Sequence, residues 1–290
     1  MIFRILVTLV ALTLAACSKA PVTPLPAGDR TAIRAAIARG EATIVFVGDS
    51  ITAGSNVPYE SSWPALMAKD LRSAYPNVRF RFVNLALPGR SLVQALDDHY
   101  VALDHETAAA AGYFMPMGST PLWAGGSTPG QSWKQAVIAQ SPDLVVIAFG
   151  MNDISGDGDA FRKISDWLAS SYQLAASHPS IAMVATILPS RAATEYRGLE
   201  GNIDKSAEAA RMAARDTGAT LIDANAYLKR LRDGKARYAL RLLGGAELVL
   251  FGGVPLLGGN GINHPSVIGH RLIYREAYMP LIKALDPGAL

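Results

Sequence analysis

Apolar residues follow two patterns that alternate along the chain. Continuous runs of β-branched and aromatic residues, such as Thr43-Ile44-Val45-Phe46-Val47, are typical of strands buried on both faces. Between these runs, apolar residues recur every three or four positions, as amphipathic helices require. The pattern predicts strands over residues 43–47, 78–85, 143–149, 181–188 and 219–223, and helices over residues 30–39, 61–75, 91–99, 160–176, 200–217 and 266–284, with Pro280 bending or ending the last.

Strands that alternate with helices predict an α/β fold, in which a parallel sheet is covered by helices. The chain shows no internal repeat, domain boundary or low-complexity tract, so we expect residues 29–290 to form one domain. Two segments do not fit the alternation and are predicted to be insertions, near residues 101–131 and 235–260. The second has paired glycines between apolar runs, and a hairpin that turns at Gly252-Gly253 is possible there.

The composition excludes several classes of protein. Half of the residues are hydrophobic, which provides a sizeable core and excludes global disorder. The net charge is only +3, and no run of Lys or Arg indicates a nucleic-acid partner. A single cysteine, Cys17, excludes an internal disulfide and a cysteine-based zinc site. No metal-ligand spacing and no glycine-rich nucleotide motif is present, so we expect no metal and no cofactor.

The N-terminus has the pattern of a secretory signal. A positive start is followed by an apolar run of residues 5–16, which is too short to span a bilayer. The sequence Leu14-Ala15-Ala16-Cys17 resembles the lipobox of bacterial lipoproteins. This resemblance implies a signal peptide over residues 1–16, lipidation of Cys17, a Pro-rich tether over residues 17–28 and, because Ser18 follows, a place on the outer membrane facing the periplasm. The alternative is an ordinary signal peptide with a chance cysteine.

Polar residues follow three of the predicted strands and precede the last helix. Asp49-Ser50 comes after the first strand, the segment from Asn84 to Gly89 after the second, and Asn152-Asp153 after the third. The carboxyl ends of parallel strands meet at one edge of a sheet, where α/β folds place ligands and nucleophiles. His264 lies in an Asn-His-Pro turn before the last helix. Taken separately, each segment could also be an ordinary turn or helix cap.

Together, and in this order, the four segments resemble the SGNH (GDSL-type) hydrolase family over residues 42–284. The resemblance implies a three-layer flavodoxin-like fold and a serine esterase. It also implies that Ser50 is the nucleophile and His264 the general base. The oxyanion hole would comprise the backbone N–H groups of Ser50 and Gly89 and the side-chain amide of Asn152. Asp49 and Asp153 are expected to anchor loops through backbone N–H groups.

One position departs from the family pattern. The family usually has an aspartate three residues before the histidine, but that position is Gly261 here. Either Asn260 or a main-chain carbonyl of residues 258–261 could orient the imidazole instead, and we favour the carbonyl. Without a nearby anion, His264 should titrate at or below about 6.5. A pKa above 7 would point to a distant carboxylate, with Asp223 the first candidate.

Three functions remain open from the sequence. The first is an envelope-anchored esterase that removes a short acyl group, such as acetyl, from a carbohydrate or a small ester. In that case the 101–131 insertion would cover the Ser50 cleft, with Tyr113, Phe114 and Trp123 as a binding wall. The second is a lipase or arylesterase with a longer acyl pocket formed by residues 248–257. The third is a non-catalytic glycan-binding or assembly lipoprotein that retains the fold.

Overall fold

The computed structural model describes residues 29–92, 95, 133–153, 179–187, 200–233, 250–254 and 257–285. The predicted signal peptide with Cys17, the tether over 17–28, the helix over 160–176 and the 101–131 insertion lie outside the described residues. So do nearly all of the helix predicted over 91–99 and residues 235–249 and 255–256 of the second insertion.

Five parallel strands form the central sheet, in the spatial order β2-β1-β3-β4-β5. Their bounds are β1 Glu41–Gly48, β2 Arg79–Asn84, β3 Leu144–Ala148, β4 Ser180–Ala185 and β5 Thr220–Asp223. All five strands were predicted, within two or three residues at each end. A small antiparallel pair, β6 Gly252–Val254 and β7 Gly258–Gly259, lies outside this sheet.

Eight α-helices are described: α1 Thr31–Arg39, α2 Ser50–Ala53, α3 Trp63–Ala74, α4 Trp133–Ile138, α5 Glu200–Thr217, α6 Ala224–Asp233, α7 Val267–Ile273 and α8 Met279–Leu285. They pack on both faces of the sheet and form two hydrophobic cores. Ile44 and Phe46 of β1 belong to the core that includes α1, α3, α7 and α8. Val45 and Val47 belong to the other core, with α4 and α5. Burial of the sheet on both faces explains the continuous apolar runs of the strands, and it confirms the α/β class.

The pattern missed α4 and α6, and it misplaced one turn. Gly252 and Gly253 lie within β6, so the hairpin turns between Val254 and Gly258 and not at the glycine pair. The last predicted helix is divided into α7 and α8 by one π-helical stretch, Tyr274–Tyr278. Pro280 lies in the first turn of α8, two residues after the π-helical stretch ends.

The strand order determines where the site lies. β1 is an inner strand, with β2 and β3 as its two neighbours. The carboxyl ends of these three strands therefore bring the loops that begin at residues 49, 85 and 149 to one edge of the sheet. Within the described part of the chain, no helix is long and apolar enough to cross a membrane.

Candidate active site

Ser50 begins a four-residue helix directly after β1. Asp49 caps this helix, since its Oδ1 accepts a hydrogen bond of 3.0 Å from the Ile51 N–H. The turn requires glycine at position 48, because a Cβ there would lie 2.5 Å from the carbonyl oxygen of Ala148. The hydroxyl of Ser50 is thus presented at the carboxyl end of the inner strand β1, on a side chain that is largely buried.

Two buried carboxylates hold the loops around Ser50, as expected. Asp49 binds the first turn of α2, and Asp153 accepts a bond of 2.8 Å from the Leu92 N–H. Burial, together with the nearby charge of Asp153, raises the pKa of Asp49 to about 7, although hydrogen bonds from backbone N–H groups oppose the shift. Both side chains support the backbone of the site.

The loop after β2 is tied to the Ser50 turn. The amide of Asn84 donates a bond of 2.9 Å to the Thr52 carbonyl, and the Leu87 N–H donates one of 2.9 Å to the Gly48 carbonyl. Gly89 follows with φ at +75°, a conformation in which glycine is favoured over L residues. Gly89 is exposed, so its backbone borders the open side of the site.

Asn152 follows β3 and contacts the loop that carries Gly89. Its Nδ2 donates a bond of 3.0 Å to the carbonyl oxygen of Arg90. An amide nitrogen carries two hydrogens, so this bond orients the group and leaves a second hydrogen for another acceptor. Asn152 is half-buried, as a group that faces a cleft would be.

His264 joins Ser50 from the opposite end of the sequence. The distance between His264 Nε2 and Ser50 Oγ is 2.7 Å. Hydrogen bonds within its own loop hold the backbone of His264. The Asn260 Oδ1 accepts from the N–H groups of Ile262, Asn263 and His264 at 2.9–3.0 Å.

The contact on the other side of the ring corrects the favoured prediction for the orienting group and also excludes its alternative, Asn260. His264 Nδ1 contacts Oδ1 of Asn56, a residue that the sequence analysis did not select. The prediction that a main-chain carbonyl of residues 258–261 would be the partner of Nδ1 is therefore wrong. Asn260 is also not that partner, because its oxygen binds backbone N–H groups and its Nδ2 donates to Asn263 Oδ1. Asn260 shapes the loop and does not orient the ring.

One feature of the sequence could have drawn attention to Asn56. This residue follows α2 closely, and asparagine is one of the few non-glycine residues that adopt a left-handed backbone. Its φ is +67°, and its carbonyl accepts a bond of 2.9 Å from the Gly259 N–H. Its contact with the ring still depends on how two loops pack, and a sequence pattern does not contain that information.

Burial determines the charge state of the imidazoles near the site. It lowers the pKa of His264 to about 4, in agreement with the expectation of a value at or below 6.5. Burial also lowers the pKa of His270, on α7, to about 3, and repulsion from His264 adds to that shift. His264 is thus neutral near pH 7, as a general base must be.

Asp223 is engaged elsewhere. Its two carboxylate oxygens accept bonds of 2.8 and 3.0 Å from the Arg211 guanidinium. It therefore does not act as a distant partner of His264. Among the residues that the structure describes, no group of three or more His, Cys, Asp or Glu side chains could hold a metal ion.

Solved structures with a similar fold are esterases and hydrolases. An acetylxylan esterase from Geobacillus stearothermophilus is 18% identical, with a TM-score of 0.51 over 83% of this chain and 94% of that chain. An alpha/beta hydrolase from the metagenome of Lake Arreo, Spain, is 17% identical, with a TM-score of 0.50 over 84% of this chain and 96% of that one.

A third similar structure is a two-domain esterase active on acetylated mannans, co-crystallised with mannopentaose. It is 15% identical, with a TM-score of 0.53 over 91% of this chain and 57% of the esterase. At such low identities these likenesses show a shared fold. A comparison with curated proteins gave no match.

The family model for GDSL-like lipases and acylhydrolases matches residues 46–272, which is most of the chain. The match begins just before the Ser50 turn and ends within α7, so it includes all four segments that carry the resemblance. The chain therefore belongs to the GDSL-like lipase/acylhydrolase family and is a carboxylic ester hydrolase.

Proposed function

We propose that this protein is a serine esterase that removes short acyl groups, acetyl above all, from a carbohydrate or a small ester through an acyl-serine intermediate. The observation that carries the proposal is the 2.7 Å contact between His264 Nε2 and Ser50 Oγ. A serine hydroxyl is too weak an acid to attack an ester unaided, and a neutral imidazole at this distance can take its proton.

In the acylation step, Ser50 Oγ attacks the ester carbonyl carbon while its proton moves to His264 Nε2. The carbonyl electron pair moves onto oxygen, which becomes an oxyanion. When the intermediate collapses, the C–O bond to the alcohol breaks, and the alcohol leaves with the proton from Nε2. Water then attacks acyl-Ser50 by the same route. It gives its proton to Nε2, which returns it to Ser50 as the carboxylic acid leaves.

The oxyanion hole is assigned to the N–H groups of Ser50 and Gly89 and the amide of Asn152. Adjacent strands bring these three loops to one edge of the sheet. The bond from Asn152 to the Arg90 carbonyl fixes the amide next to the Gly89 loop. Donors fixed in advance around a developing oxyanion are each worth about 2.7–4 kcal/mol of transition-state stabilisation.

Two observations support a short acyl group over a long one. The sequence analysis offered residues 248–257 as the wall of a longer acyl pocket. Within this segment Leu250 and Phe251 have no exposed surface and pack in the main hydrophobic core. Their side chains therefore fill the interior and do not line an open pocket. The esterases of similar fold that act on acetylated xylan and mannan support an acetylated carbohydrate as substrate.

The lipobox-like sequence at Cys17 supports an anchored form of this esterase in the cell envelope. We propose that lipid on Cys17 holds the protein at the outer membrane, facing the periplasm, with residues 17–28 as a tether. At about 3.1 Å per residue, an extended tether of this length would reach roughly 35 Å. That reach would let the catalytic domain act on polymers near the membrane surface.

A fluorophosphonate probe tests the nucleophile. Ser50 Oγ should displace fluoride from phosphorus, so wild-type protein should be labelled and Ser50→Ala should not. Ser55→Ala is the matched control, because Ser55 is equally buried nearby and its hydroxyl has no hydrogen-bond partner among the described residues. This control should keep both labelling and turnover. Unchanged turnover of p-nitrophenyl acetate by Ser50→Ala would overturn the mechanism.

Chain-length preference tests the acyl group. We expect turnover of p-nitrophenyl acetate and little turnover of p-nitrophenyl octanoate, and release of acetate from acetylated xylo- or manno-oligosaccharides. A preference for octanoate would overturn the short-acyl assignment. Activity on neither ester would overturn the esterase proposal as a whole.

A further inference from the structure

Asn56 occupies the side of the His264 ring that faces away from Ser50. Its Oδ1 contacts Nδ1 of the ring, while Nε2 lies 2.7 Å from Ser50 Oγ. A neutral imidazole that accepts the Ser50 proton at Nε2 carries its own hydrogen on Nδ1. Nδ1 is then a donor, and the Asn56 amide oxygen is the acceptor that it faces.

We propose that Asn56 is the positioning residue of this site: it holds His264 in the tautomer with hydrogen on Nδ1 and directs Nε2 toward Ser50. This inference rests on the proposed esterase function. In a catalytic triad, a carboxylate near the histidine orients the ring. Here an amide from the loop that follows the nucleophile would do so.

The backbone around Asn56 fixes the amide relative to the ring. Asn56 has φ of +67°, which turns the chain out of α2 and toward the histidine loop. Its carbonyl then accepts the 2.9 Å bond from the Gly259 N–H, five residues before His264. The turn that carries the amide and the loop that carries the imidazole are therefore joined by a main-chain bond as well as by the side-chain contact.

Because the Asn56 amide is uncharged, it does not stabilise the protonated form of His264. Among the described residues, His264 contacts the Ser50 hydroxyl and the Asn56 amide and lies near the imidazole of His270, which is itself neutral because burial lowers its pKa to about 3. The carboxylate of Asp49 is bound to the Ile51 N–H. An amide orients the ring without adding a charge, so the half-buried base stays unprotonated at mildly acidic pH.

Two variants distinguish orientation of the His264 ring by the Asn56 side chain from support of the loop by the Asn56 backbone. Asn56→Gly removes the amide but keeps a residue that adopts a positive φ freely, and it keeps the carbonyl that binds Gly259. We expect kcat to fall by about 10- to 1,000-fold with little change in KM, less than the roughly 10⁴-fold cost of a wrong tautomer in a serine protease. Asn56→Asp keeps the acceptor, so it should restore kcat at neutral pH.

The pH dependence of kcat/KM provides a second test, because it would not change if Asn56 only supported the backbone. A carboxylate beside the ring stabilises the imidazolium, and a neighbouring opposite charge raises a pKa by about 1–3 units. The acid limb of kcat/KM in Asn56→Asp should therefore move up by that amount relative to wild type. A kcat of Asn56→Gly within 3-fold of wild type, or an acid limb that does not move in Asn56→Asp, would overturn the proposal.

NMR titration of the His264 ring keeps this test separate from the proposed function, because it needs no substrate. The resonance is assigned by its loss in His264→Gln. If the wild-type protein hydrolyses no ester, the esterase function fails, but the His264 pKa should still rise by at least about one unit in Asn56→Asp. An unchanged His264 pKa in a folded variant would overturn the contact of Asn56 with the ring, whatever the activity.

Discussion

Asn260 holds the histidine loop with a single side-chain oxygen. That oxygen accepts hydrogen bonds from three consecutive backbone N–H groups, those of residues 262, 263 and 264. Main-chain bonds from Gly259 to the Asn56 carbonyl and from Gly261 to the Phe251 carbonyl also hold this loop. The structure also separates two tasks that the sequence left together, since Asn260 shapes the loop while Asn56 contacts the ring.

Replacing Asn260 should therefore cost stability more than chemistry. Asn260→Ala leaves three N–H groups without their acceptor, and each such hydrogen bond contributes about 0.5–1.5 kcal/mol. We expect the melting temperature to fall by about 2–4 °C for each kcal/mol lost. We also expect kcat of the folded variant to fall by less than about 10-fold.

Asn260→Asp is the matched control: a carboxylate oxygen accepts from the same N–H groups, but the bond from Nδ2 to Asn263 Oδ1 is lost, so its melting temperature should lie between those of Asn260→Ala and wild type. Calorimetry and initial rates measure the two effects. If Asn260→Ala lost more than about 100-fold in kcat at unchanged melting temperature, Asn260 and not Asn56 would orient His264.

At the residue scale, the sequence predicted the groups that lie at strand ends. Ser50, Gly89 and Asn152 follow three strands, and parallel strands bring their carboxyl ends together. His264 was found by its resemblance to a family motif. Asn56 was missed because its role depends on a contact across 208 positions and on a left-handed backbone at an exposed turn. Neither property produces a recognisable pattern of apolar and polar residues in the sequence.

At the element scale, α7 joins the last part of the chain to α3. His270, on α7, is buried, and its Nδ1 accepts a bond of 3.3 Å from the Trp63 N–H at the start of α3. The Trp63 ring stacks on Tyr278 with centroids 4.2 Å apart and meets Phe46 edge to face. An uncharged histidine is thus a structural part of the interface between α3 and α7.

This interface should weaken as the pH falls. His270 titrates near 6.5 when unfolded and at about 3 when folded, so between these values the unfolded chain binds more protons than the folded one. The free energy of unfolding must then decrease with falling pH, by up to about 1.4 kcal/mol per pH unit for this group. Burial of His264 adds a similar dependence between about 6.5 and about 4.

His270→Asn isolates the contribution of one histidine. The asparagine oxygen can accept the Trp63 N–H bond, but the side chain does not titrate, so the loss of stability between pH 6.5 and 4.5 should be smaller than in wild type. Urea denaturation at several pH values measures the difference. Parallel losses in the two proteins would show that His270 does not change its protonation in this range.

Among the elements, long periodic segments were predicted best. The helix over 200–217 has the predicted bounds, and the buried strands lie within three residues of theirs. Two helices were missed for different reasons. Trp133–Ile138 is short and follows a glycine-rich stretch, while Ala224–Asp233 continues directly from β5 without a turn signal. The division of the last helix by a π-helical stretch has no sequence signal beyond Pro280.

At the scale of the whole molecule, the proposed attachment to a membrane depends on Cys17. The apolar run before it is too short to span a bilayer, so we expect lipid on the thiol to provide the anchor. In a host that processes bacterial lipoproteins, the wild-type protein should partition into the detergent phase and Cys17→Ala into the aqueous phase. Equal partitioning of both proteins into the aqueous phase would contradict the lipoprotein proposal.

The contact between Ser50 and His264 also has a temporal consequence, because it closes a separation of 214 positions. Contacts across long stretches of chain form late in folding, since the entropy of loop closure opposes them until the intervening elements are in place. A chain that has emerged only as far as β5 carries the nucleophile and the first three loops, but it has no base. In the proposed mechanism, ester hydrolysis therefore cannot begin before the C-terminal helices have docked, and a partly folded chain would remain inert.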